Sequence, residues 1–228
     1  MMRRTATCAG LALALFFSAW IPLDSKPAKV EQALSFEGID VVVLQGNPSF
    51  VHFSGEATRA EYDPLEIPRL LERREGRVLV IFPERGGTAS YDIHLPPTLR
   101  RLQFGDAHIV VQEGVRMSPL VVLIGNELNW RGDIGRLDII DTRKRREEDC
   151  TYCGLGITIQ GGSIGELRVS TAFGHVQIED PDDIRATTLF LGPEAHFSLG
   201  MAKRQAQLQL RPWRAGIIDA PPQETAPQ

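Results

Sequence analysis

VVLIGNELNWRG, residues 121 to 132, decides the fold. Two short apolar alternations stand on either side of Gly125-Asn126, and the segment closes on Gly132. A helix would need apolar residues at intervals of three and four. Leu128 and Trp130 instead recur at every second position, the period of a strand with one face buried. Four other segments share this order of strand, tight turn, strand, turn. They are LQFGDAHIVVQEG (102–114), LDII with LGITIQGG (137–140 and 155–162), LRVSTAFGHVQIED (167–180) and TLFLGPEAHFSLG (188–200).

The segments start about 16 to 21 residues apart, with one gap of about 30, which is solenoid spacing. Their second strands align in two apolar columns. One is Ile109, Leu128, Ile157, Val176 and Phe197; the other is Val111, Trp130, Ile159, Ile178 and Leu199. The first strands add Phe104, Leu123, Ile139, Val169 and Leu191. One such coil cannot bury its own apolar face, so stacking has to supply the core. The expected fold is all-β: a β-solenoid, or single-stranded β-helix-like stack of short strands, with an N-terminal β-hairpin region. FEGIDVVVLQG and SFVHFSGEA predict a strand pair around Gly46-Asn47-Pro48, and RVLVIF (77–82) and SYDIHL (90–95) predict two further strands. Only 64–76 could hold a short helix, limited by Pro68.

These elements resemble a known family. Phe36 to Val41 reads F-x-G-I-x-V, Arg77 to Ile81 reads R-x-L-x-I, and Ile93 to Leu102 reads I-x-L-P-P-x-L-R-x-L, followed by glycine-marked coils. The pattern is similar to the GIN domain, the head domain of proteins proposed as auto-transporter adhesins, a family largely without assigned function. The similarity spans 34–211. It implies an all-β fold outside the cytoplasm and carries no catalytic residues. Fewer regular glycines and an insertion in the third coil depart from the pattern.

Arg3 and Arg4 precede a short apolar stretch, Ala9 to Ile21. It is too short for the roughly 20 residues of a membrane span but fits a signal peptide over 1–28. No clean cleavage motif follows it, so the start of the mature chain is left open. Export to a periplasm or cell surface is the expectation, with no membrane span after the leader is removed. The formal charge of −4 becomes about −6 without the leader, which argues against nucleic acid or an anionic membrane as partner. The Pro-rich end, 214–228, reads as a disordered tail.

Most coils join their two strands through a few residues, but Ile139 and Ile157 are separated by DTRKRREEDCTYCGLG. This outgrown turn carries Thr142, Arg143, Lys144, Arg145, Arg146 and Tyr152 as a candidate binding loop, since loops on rigid scaffolds collect binding functions. It also carries Cys150-x-x-Cys153. A thioredoxin-type pair needs a helix after the second cysteine, whereas a strand follows Cys153. Zinc needs further ligands, and no second such pair exists. In an oxidising compartment a local disulfide is the leading reading, with a redox pair and a metal site as alternatives.

His108, His175 and His196 each precede an inward residue and should point outward. His175 and His196, on neighbouring coils, would lie about 4.8 Å apart in register. They are weak metal candidates lacking an evident third ligand, and no metal or cofactor is otherwise implied. Arg131-Gly132-Asp133 and the acidic Glu179 to Ile184 read as turns. No nucleophile elbow, HExxH, Walker loop or dinucleotide fingerprint is present. The leading expectation is therefore a non-enzymatic, exported binding or structural module of the cell envelope, its partner an envelope protein or glycan. A thiol-active protein using Cys150 and Cys153 is the alternative. A carbohydrate-active β-helix enzyme comes third, and would need carboxylates paired on one outward face, for which Asp106 and Glu127 are the nearest candidates.

Overall fold

Leu128, Ile157, Val176 and Phe197 stand opposite one another on four adjacent parallel strands, and Trp130, Ile159, Ile178 and Leu199 form the column beside them. The alternation within each short segment thus becomes stacking between segments. The computed structural model describes residues 28–85, 90–142, 156–179, 183–200 and 207–212. The leader, the tail and residues 143–155, which include Arg143 to Arg146, Tyr152, Cys150 and Cys153, lie outside the described residues.

Among the described residues the fold is all-β, without an α-helix. The strands are β1 (Val30–Ala33), β2 (Val41–Leu44), β3 (Asn47–Phe53), β4 (Arg59–Tyr62), β5 (Leu70–Glu75), β6 (Val78–Pro83) and β7 (Ser90–Leu95). They continue with β8 (Arg101–Val111), β9 (Leu120–Arg131), β10 (Ile134–Asp141), β11 (Gly156–Gly161), β12 (Ile164–Ile178), β13 (Ile184–Leu199) and β14 (Gln207–Pro212). Strands β8, β9, β12 and β13 are long enough to serve twice. Their first halves join β6, β2, β10 and β14 in one parallel ladder. Their second halves join β7, β3 and β11 in another.

Two N-terminal expectations change. Strands β2 and β3 do not form a hairpin around Gly46-Asn47-Pro48. Each pairs with β8, one with its first half and the other with its second, so the intervening residues are a corner between ladders. The hairpin lies instead at β5 and β6, closed over Gly76, whose φ of 60° suits glycine. No helix forms over 64–76. The Asp63 carboxylate accepts from the Leu65 N–H and its carbonyl from Ile67, making a single turn that buries Ile67. Pro68 follows, and the chain leaves as β5.

Two columns also shift. The register slips between Phe104 and Asp106, placing Ala107 opposite Leu128 and Ile109 opposite Trp130. The predicted β8 members were thus displaced by two residues, which preserves the buried face. In the apolar run 121–124 the inward residues are Val122 and Ile124, and Leu123 faces outward, half-buried. Leu102, Val122, Ile139, Val169 and Leu189 form one inner column. In the next, Thr171 and Asp141 occupy inward positions, where the Thr171 hydroxyl donates to the Asp141 carboxylate at 3.0 Å. This bond helps a buried polar pair tolerate an otherwise apolar column.

Trp130, Leu128, Ile157, Val176, Leu167 and Val169 are wholly buried, each large side chain contributing about 1.5–3 kcal/mol by transfer from water. Two glycines are required by close approach. A methyl group on Gly162 would overlap the Gly132 carbonyl of the neighbouring turn, and one on Gly192 would overlap that of Ala172. Where the longer strands bend between halves, the third repeat is interrupted: β10 ends at Asp141 and β11 begins at Gly156. The chain therefore leaves the first ladder at Asp141 and joins the second at Gly156.

Candidate binding face

Alternation in the second ladder sends Val51, Phe53, Ile93, Leu95, Ile109 and Val111 into the core. Their neighbours Phe50, His52, His94 and His108 must then project outward. The pairing of β7, β3 and β8 brings these four rings together. His52 and His94 stack with centroids 4.7 Å apart, Phe50 and His52 lie 5.9 Å apart, and Phe50 and His108 5.4 Å apart. The result is a Z-shaped ridge across three strands, with Phe50 43% exposed at its middle.

A charged network braces one end. Arg59 Nε donates to Glu61 Oε1 at 2.9 Å, and His94 Nε2 lies 3.3 Å from the same oxygen. Lys29 Nζ bonds Asp92 at 2.7 Å. Burial works against the Glu61 carboxylate, but the Arg59 hydrogen bond and charge, with His94 and Lys29, outweigh it and hold its pKa below the ordinary value. Burial, aided by the neighbouring His94, lowers the pKa of His52. The ridge therefore favours neutral His52 near neutral pH.

A cleft lies on each side of the ridge. One, of about 260 Å3, is lined by Phe50, His108, Asp106, Glu127 and Asn129. Asp106 and Glu127 are in register on β8 and β9, and each accepts from an asparagine amide, Asn126 at 2.7 Å and Asn129 at 2.8 Å. The other, of about 250 Å3, is lined by His52, His94, Ser54, Glu56 and Gln112. Ser54 Oγ and His94 Nδ1 are buried and make no hydrogen bond to the described protein.

His175 and His196 do pair in register, and both are exposed, with His175 Nε2 3.0 Å from Ser198 Oγ. Among the described residues no group of three His, Cys, Asp or Glu side chains is placed to hold a metal ion. His108 is not in their column. The slip at Gly105 puts Asp106 there and sets His108 beside Phe50. Thr142 donates to the Ile124 carbonyl at the root of the outgrown turn. Asp133 of the Arg-Gly-Asp tripeptide accepts from the Ser163 N–H at 2.7 Å, so it serves contact between turns. Sequence reasoning missed His52 and His94. Their signal was the matched V-H-F and I-H-L alternation, but nothing local says that those strands are neighbours.

The residues thus define an all-β scaffold with an aromatic and carboxylate-lined face. No family model and no curated protein matches the chain. Among solved structures, it is similar to a protein of Parabacteroides distasonis provisionally described as lipid binding, with 13% identity over 81% of this chain and 76% of the other, at a TM-score of 0.48. A protein of Bacteroides fragilis provisionally described as an adhesin shares 10% identity over 81% of this chain and 96% of its own, at a TM-score of 0.37. A similarly described adhesin of Parabacteroides merdae shares 12% identity over 84% and 98% of the two chains, at a TM-score of 0.29.

Proposed function

We propose that this chain is an exported β-solenoid that serves as a non-enzymatic binding or structural module of the cell envelope. Its working surface is the outward face of the second ladder, together with the corner from which the 142–153 loop grows. The observation that carries this reading is the convergence of Phe50, His52, His94 and His108 from three strands onto one face with a cleft on each side. Exposed aromatic groups beside ordered polar pairs are the chemistry of recognition rather than of folding. Gly156, where the chain re-enters the sheet, pairs with Glu127 at the edge of one cleft. The arginine pair and apolar stretch at the N-terminus support export.

Asp106 and Glu127 satisfy the adjacency that a glycosidase reading requires. Glu127 is exposed, however, and both carboxylates are tied to amides, without the apolar enclosure that prepares a general acid. Among the described residues, no helix is long and apolar enough to cross a membrane. Co-sedimentation of purified protein with isolated envelopes tests the proposal. Retention that falls on replacing Phe50 and His52 with alanine supports it. Failure of the wild-type protein to sediment, or equal retention of the double variant, overturns it.

A further inference from the structure

We propose that the ridge of Phe50, His52, His94 and His108, with its two flanking clefts, is a binding subsite for a neutral or N-acetylated oligosaccharide. The inference rests on the reading of this face as the working surface. A pyranose ring has an apolar C–H face and an edge of hydroxyls. The first matches exposed ring faces, and the second needs paired donors and acceptors.

Both requirements are met by separate groups. The stepped rings offer apolar area on three strands, and Phe50 is exposed enough to take a ligand from solvent. Beside them, the Asn129–Glu127 and Asn126–Asp106 pairs are held by hydrogen bonds of 2.8 and 2.7 Å. Each pair still has amide and carboxylate positions free to meet hydroxyls, because a single bond engages only part of either group. On the far side, Ser54 Oγ and His94 Nδ1 are enclosed from solvent, which leaves the Phe50–Asn129 side as the contact surface.

Charge and topology narrow the ligand. Among the described residues, neither cleft is lined by Lys or Arg, whereas Glu56, Asp106 and Glu127 line them. An anionic polysaccharide or phosphate headgroup would face repulsion there. An extended peptide usually adds to a free sheet edge. Strand β3 lies between β7 and β8 and offers no such edge.

The test is calorimetric titration of the full chain with neutral and N-acetylated hexasaccharides, led by maltohexaose and hexa-N-acetylchitohexaose. Polygalacturonate and an arginine-rich peptide serve as competitors from other classes. Binding of a neutral or N-acetylated hexamer that weakens at least about tenfold in Phe50→Ala supports the proposal. Asn129→Ala, which removes the amide beside Phe50 in the cleft, should weaken binding while leaving the melting temperature nearly unchanged, separating recognition from folding. No hexamer binding, equal binding by both variants, or preference for the peptide or polygalacturonate overturns it. Envelope retention that persists without hexamer binding removes the sugar subsite alone; loss of retention by the wild-type chain removes the module reading itself.

Discussion

His52 of β3 and His94 of β7 are paired across their strands and lie ring against ring, centroids 4.7 Å apart and planes 21° apart. Burial and the neighbouring ring hold the His52 pKa below its ordinary value, because a charged imidazole there would be poorly hydrated. Glu61 and Asp92 attract a proton towards His52, and Arg59 opposes it, but burial is the largest influence.

Acid should therefore destabilise the fold in two stages. The folded chain protonates His52 at lower pH than the unfolded chain, so this contribution is full above about 6.5 and declines as pH falls through the folded value. Glu61 has a folded pKa below the ordinary 4.5, so its contribution holds above that value and is lost on further acidification. Urea midpoints across both windows should fall in these two steps. His52→Phe should flatten the first and spare the second; an unchanged first step would refute its assignment to His52.

Trp130 is wholly buried, and its Nε1 donates to the Gly132 carbonyl at 3.1 Å. Trp130→Ala opens a cavity between two neighbouring strands and should cost about 3–5 kcal/mol. Arg131→Ala, at an exposed side chain on the same strand, should stay within about 0.5 kcal/mol. Denaturant titration distinguishes them, and equal losses would contradict the inward column.

Gly162 combines a φ of 97° with the adjacent Gly132 carbonyl. Gly162→Ala should destabilise the fold by about 1–3 kcal/mol, since both the backbone and the neighbouring turn resist it. Gly55→Ala is the control, because a methyl group there meets nothing within 4 Å and its φ is not in the left-handed region. Comparable melting temperatures for the two variants would show that the turns do not stack this closely.

Cys150 and Cys153 lie in the outgrown turn of a chain proposed to be exported. In protein isolated from an oxidising compartment, neither should react with a thiol reagent until reductant is added. Peptide mapping after alkylation checks this directly. A mixture of free and blocked cysteines, or trapped mixed disulfides, would favour thiol exchange instead.

Strand positions were legible because side-chain alternation is local. Leu128, Ile157, Val176 and Phe197 line up as their spacing predicts. Phe104, by contrast, pairs with Ile124 and not with Leu123; the continuous apolar run 121–124 conceals which residues face inward. The slip after Phe104 likewise moved Ile109 opposite Trp130 and removed His108 from the column of His175 and His196. A register shift changes partners without changing the period of either strand, so alternation cannot locate it.

The sequence by itself determined the strand alternation, the buried positions Leu128, Trp130, Ile157, Ile159, Val176 and Ile178, and the long insertion between Ile139 and Ile157. Leu199, also expected inward, is 40% exposed, and the turns expected within 121–132, 167–180 and 188–200 are continuous strand. Only the tertiary structure decided that β2 and β3 enter separate ladders beside β8, and that β7 lies against β3. Those pairings join residues distant in the chain, through backbone hydrogen bonds that any side chain permits. They brought His52 beside His94 and Phe50 beside His108, and with them the face on which the functional proposal rests.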